Sequence, residues 1–99
     1  MNPAIDFPWE YKHCTVDTQV SARPGVLHTI VVNGLTTAGD VTIYDNTAES
    51  GTVIGVIHLN PTTSISVPPI TLLYDCKFSV GLYAGFDATL VADLTITYK

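Results

Sequence analysis

The stretch that decides the fold is Val41-Thr-Ile-Tyr-Asp-Asn-Thr-Ala-Glu-Ser-Gly-Thr-Val-Ile-Gly-Val-Ile57. It reads as strand, connection, strand. Val41 and Ile43 alternate with Thr42 and Tyr44, and Thr52 to Leu59 is β-branched and apolar. Period-two alternation of β-branched residues favours a strand, and the Asp/Asn/Ser/Gly cluster from Asp45 to Gly51 is turn chemistry. Nothing in this hairpin is a reactive constellation, so the stretch reads as scaffold.

Working outward, further strands are expected at 14–21, 26–33, 40–45, 52–59, 63–67, 70–79 and 89–98. Arg23-Pro24-Gly25, Asn33 to Gly39, Asn60-Pro61 and Pro68-Pro69 separate them. The last strand alternates most cleanly. Leu90, Ala92, Leu94, Ile96 and Tyr98 share one face, and Asp93, Thr95, Thr97 and Lys99 the other. That pattern belongs to an antiparallel sheet packed on one side and wet on the other. No window carries apolar residues at helical spacing with caps. Many short strands with Gly/Pro turns argue for an all-β sandwich or barrel, and an antiparallel sandwich with Ile43, Leu72, Leu94 and Ile96 in its core is the expected fold.

The first residues read differently. Ile5, Phe7, Trp9 and Tyr11 occupy every second position, separated by Asp6, Pro8 and Glu10. An extended segment places all four on one face, while Pro8 removes a ladder donor. The combination suits an edge strand or a docked extended arm, not a central strand, and residues 1–12 are read as an extended N-terminal arm with Ile5, Phe7, Trp9 and Tyr11 as its docking face. Residues 13–99 read as the sandwich domain.

Composition narrows the function classes. The chain has 99 residues, 46% hydrophobic and 13% charged, enough for one core. Lys12, Arg23, Lys77 and Lys99 are scattered and the net charge is −5. Nucleic-acid binding needs clustered cations, so no nucleic-acid partner is expected. No run approaches a membrane span. The opening residues lack a basic and apolar leader pattern, so synthesis in a cytoplasm is expected, with Cys14 and Cys76 as free thiols.

Reactive chemistry has little footing. His13, His28 and His58 lie 15 and 30 residues apart, without the close pair a zinc site uses. Asp45 to Glu49 offers oxygens but lacks calcium-loop spacing, and turn chemistry is the better reading. There is no nucleophile elbow and no glycine-rich phosphate loop. Asp75, Asp87 and Asp93 are read as solvated acids. No catalytic residue, metal ligand or cofactor is expected. Among the aromatic residues, Tyr83 and Phe86, in an expected loop, are the candidate contact with a glycan or protein partner.

Three runs carry a resemblance: Val26-Leu-His-Thr-Ile-Val-Val-Asn-Gly34, Gly39 to Ile57, and Leu73 to Tyr83 with the closing Ala92-Asp-Leu-Thr-Ile-Thr-Tyr98. Over residues 26–98 the chain resembles small virion proteins of tailed bacteriophages. The resemblance implies a jelly-roll-like sandwich that decorates or cements a capsid exterior without catalysis. Its implied partners are the major capsid protein and further copies of itself, as a trimer or dimer. The alternative is a fibre, spike or tail module that recognises host surface glycans.

Overall fold

The computed structural model describes residues 9–59 and 70–99. Its elements are β1 (Glu10–Cys14), β2 (Thr18–Ser21), β3 (Gly25–Thr37), β4 (Gly39–Asp45), β5 (Thr52–Leu59), β6 (Ile70–Phe78), β7 (Leu82–Phe86) and β8 (Val91–Tyr98). They form two four-stranded antiparallel sheets, ordered β1-β8-β3-β6 and β2-β7-β4-β5. The all-β sandwich read from the alternation is the observed architecture. Among the described residues there is no helix, and so none long and apolar enough to cross a membrane.

The pairing is nested. β4 pairs with β5, β3 with β6, β2 with β7 and β1 with β8. The Val41–Ile57 hairpin is thus the tip about which the two halves of the chain fold back on each other. Among the described residues only this connection joins neighbouring strands of one sheet; otherwise consecutive strands lie in different sheets. Such crossings put consecutive strands on opposite sides of one core.

That core comprises Leu27, Ile30, Val32, Val41, Ile43, Phe78, Leu82, Leu94 and Ile96, all essentially without solvent contact, with smaller neighbours around them. Ile43, Leu94 and Ile96 are where the alternation puts them. Leu72, on edge strand β6, is half-buried against the same core. No polar or charged side chain is buried among the described residues. The interior is held by apolar burial, worth about 25 cal/mol per Å², and by the backbone ladders.

Several boundaries differ from the sequence reading, each for a physical reason. The expected strand 14–21 is two strands in different sheets. Thr15 to Asp17 make the crossing, tied by Thr18 Oγ1 donating to the Val16 carbonyl at 2.7 Å and by the Phe86 amide donating to Asp17 at 2.6 Å. Cys14 and Val20 both face the core with even spacing, so parity hid the change of sheet. β3 continues through Asn33-Gly34 to Thr37 instead of turning there. The Asn33 side chain donates across the ladder to Asp93 at 3.0 Å and Thr95 at 2.8 Å. Residues 82–86 are no loop but β7, a central strand. The expected strand 63–67 and the arm positions Ile5 and Phe7 lie outside the described residues.

Cys14 and Cys76 are free and lie on β1 and β6, opposite edges of one sheet. Three strand spacings of roughly 4.8 Å separate them, twice what a disulfide spans. Alkylation under denaturing, non-reducing conditions should add two labels to one intact chain. A labelled mass lacking both would contradict this placement.

Candidate functional site

Where the arm meets the sandwich, the sheet is distorted. Between Leu27 and Thr29, β3 has one extra residue, His28, relative to β8. In the facing ladder, β6 has two residues there, Tyr74 and Asp75. The extra length grows across the sheet from β8 to β6. Asp75 takes φ +47°, a left-handed conformation that Asp tolerates better than most residues. This bulge aims Asp75 at His28, whose Nδ1 lies 2.6 Å from Asp75 Oδ1.

Trp9 stacks on the His28 ring, with centroids 4.1 Å apart and planes 7° from parallel, and Lys99 Nζ lies 5.8 Å from the indole centroid. Stacking and cation–π contact of this kind hold an aromatic side chain in place. Trp9 therefore docks on its own domain, where the sequence reading grouped it with Ile5, Phe7 and Tyr11 in one docking face. Tyr11, two residues on, is 72% exposed on the outer side of β1. The arm boundary also shifts: β1 begins at Glu10 and pairs with β8 from Glu10↔Tyr98 to Cys14↔Leu94. Residues 10–12, read as arm, belong to an edge strand.

On the outer face of the other sheet, Tyr44 and Tyr83 meet edge to face, with centroids 6.4 Å apart. Val53 pairs with Tyr44 and Val56 with Thr42. Glu49 lies across Gly85, where a Cβ would sit 3.0 Å from the carboxylate. The nearby Asp17 charge pushes the Glu49 carboxyl up. Burial, then these two acids, raise the Tyr83 phenol. Phe86 pairs with core-facing Val41 and packs against the core. The structure does not bring Tyr83 and Phe86 together: they point to opposite faces of β7. Tyr44 is the partner of Tyr83, a pairing that depends on register and has no signal in the sequence.

All three histidines are strand clasps. His13 Nε2 meets Asp93 at 2.7 Å, His28 Nδ1 meets Asp75 at 2.6 Å, and His58 Nδ1 meets Asp40 at 2.8 Å. Each ties an edge strand (β1, β6 or β5) to its inner neighbour. The acids Asp75, Asp87 and Asp93 do not converge: two serve these clasps, and the Asp87 carbonyl closes a turn with the Leu90 amide. Among the described residues no group of three or more His, Cys, Asp or Glu is placed to hold a metal ion.

The loop after β4 is built as turn chemistry. Asn46 donates to the Ser50 carbonyl at 2.8 Å. Asp45 turns its carboxylate onto the Ser79, Val80 and Gly81 amides at 2.8–3.4 Å. These bonds, Ser79 first, hold the Asp45 carboxyl below its ordinary value and fasten the β6–β7 crossing to the hairpin. A lowered folded pKa gives stability that is present above the unfolded value of about 3.9 and lost as pH falls through the folded one. Asp45→Asn should therefore lower the melting temperature at neutral pH and flatten its fall between pH 5 and about pH 2. A variant whose acid transition matches wild type would contradict this role.

The sandwich also opens between β1 and β2 into a groove of about 410 Å³ lined by Glu10, Val20, Ser21, Arg23 and Tyr98. A second hollow of about 380 Å³ lies between the Thr15–Asp17 turn and Phe86–Leu90. In the first, the Ser21 hydroxyl donates to the Arg23 carbonyl at 3.1 Å and is not turned to Glu10. A scan against protein-family models, a search of curated proteins and a search of solved structures each returned no match for this chain.

Proposed function

We propose that the chain is a jelly roll serving as a non-enzymatic structural protein of a virion. It decorates or cements the capsid exterior, and its partners are capsid subunits and further copies of itself. The observation that carries this reading is the nested strand order, β1·β8, β2·β7, β3·β6 and β4·β5 in two sheets. Eight strands wound in this way are the plan of double-sheet jelly rolls, a fold used by viral capsid and lectin domains. The resemblance to tailed-phage virion proteins selects the first of these. All three histidines engaged in strand clasps also fit scaffold better than catalysis.

The mechanism is multivalent. A module that binds only the assembled shell stabilises it by mass action. Contact with two subunits raises effective concentration, so each contact can be modest. Trp9 fixes the point from which residues 1–8 start, and Ile5 and Phe7 supply the apolar strap. Because β1 begins at Glu10, the informative truncation removes residues 1–8 and keeps Trp9. It should melt close to wild type yet fail to bind particles. Wild-type particle binding by the truncated chain would contradict the strap.

A second reading, a fibre or spike module that recognises glycans, is favoured by the Tyr44–Tyr83 pair beside Asp17 and Glu49. Loss of glycan-array binding on Tyr83→Ala would support it. A wild-type chain that binds no glycan would remove it.

A further inference from the structure

The four sheet edges are not alike. Among the described residues, β1 carries Glu10 and Lys12, and β2 is four residues long with a register break against β7. β6 carries Asp75, Lys77 and the bulge. Short length, charges and bulges are the devices that stop an edge from pairing with another chain. β5 lacks the first two. It runs eight residues, Thr-Val-Ile-Gly-Val-Ile-His-Leu, without Asp, Glu, Lys, Arg or Pro. Its one irregularity, at Ile54 near its start, leaves Gly55 to Leu59 in regular pairing with β4.

β5 is also apolar on both faces. Ile54, Ile57 and Leu59 pack on the core, while Val53 and Val56 are 48% and 45% exposed on the outer face. An uncharged, β-branched strand of this length favours pairing along both of its edges. Yet among the described residues only β4 pairs with β5.

We propose that β5 pairs antiparallel with β5 of a second copy, about a two-fold axis at Val56, so that the β2-β7-β4-β5 sheet runs on through both molecules. Charge argues for this occupant. A chain of net charge −5 repels its own copies, so self-contact is favoured where the surface is neutral. β5 carries no carboxylate, ammonium or guanidinium, and the adjacent Asp40 is engaged by His58 at 2.8 Å.

Side-chain size sets the register. With Val56 on the axis, Gly55 faces Ile57 of the other copy, small against large on the inner row. With Gly55 on the axis, glycine would face glycine and leave a gap. A two-fold contact is self-complementary and closes at a dimer. It also joins the two Tyr44–Val53–Val56 patches across one outer face. The contact uses neither the arm nor the virion reading, and stands or falls separately from both.

Analytical ultracentrifugation and hydrogen exchange test it on the full chain. Edge contacts of this size are weak, so the wild type is examined up to about 200 µM, where a concentration-dependent dimer is expected. Val56→Lys, at an outward position, should raise the dimer dissociation constant tenfold or more without lowering the melting temperature. Should that variant not fold, amide protection of residues 55–57 in the wild type, rising with protein concentration, supports the same contact. A wild type that stays monomeric overturns the proposal, as does a dimer unaffected by Val56→Lys. Protection of residues 55–57 that does not change with protein concentration overturns it too. So does a dimer lost on removing residues 1–8.

Discussion

Leu94→Ala should destabilise the domain by about 2–5 kcal/mol, the range for deleting a buried leucine side chain. Leu94 has no solvent contact. It sits on β8 between two ladders, opposite Cys14 on β1 and Val32 on β3. Both partners are buried and held by backbone pairing, so the walls of the resulting cavity have little freedom to close. Loss in this range is a large share of the stability of a 99-residue domain. Urea denaturation checks it, with an unchanged slope and a shifted midpoint. A loss below about 0.5 kcal/mol, the level of an ordinary surface change, would mean that Leu94 is not in the core.

Gly39 should tolerate no side chain, as should Gly25, whose Cβ would collide with the Lys99 carbonyl oxygen. A Cβ at Gly39 would lie 2.7 Å from Leu90 Cβ and 2.9 Å from its Cα and N. Two of those three atoms are backbone, and that backbone is fixed. The Leu90 amide donates to the Asp87 carbonyl at 3.1 Å, and the Asp87 amide donates to the Asp40 carbonyl at 2.8 Å. Gly39→Ala forces the β3–β4 corner away from the start of β8, an overpacking cost of about 1–3 kcal/mol. Gly39→Val costs more. Gly34 is the control: nothing lies within 4 Å of its Cβ position. Gly34→Ala should be neutral or gain about 0.4–1 kcal/mol by restricting the unfolded chain. Equal effects at the two positions would contradict the corner packing.

The parts of the fold legible in the sequence are those where one side chain in two is apolar. β8 is the clearest, since Ala92, Leu94 and Ile96 face the core and Asp93, Thr95 and Thr97 do not. The β4–β5 hairpin is equally open, because its turn residues are local. Changes of sheet are not local. Cys14 and Val20 keep the same parity on either side of the Thr15–Asp17 crossing, so periodicity alone joins two strands into one. β7 was hidden by its own composition: Gly85 lies under Glu49 and Ala84 faces the core, and the short run around these two small residues looks like a loop.

The candidate contacts follow the same division. The alternation of Trp9 and Tyr11 is visible in the chain, but the ring that receives Trp9 belongs to His28, placed by a bulge built between three strands. The His–Asp clasps and the Tyr44–Tyr83 pair join residues 18 to 80 positions apart. Only register brings them together, and register is a property of the whole sheet.

The most direct test of the proposed role is cryo-electron microscopy of the purified virion whose genome encodes this chain. The account predicts density for the sandwich repeated over the capsid exterior, with residues 1–8 lying against a capsid subunit. A particle that lacks the chain, or carries a few copies at the tail alone, would contradict it.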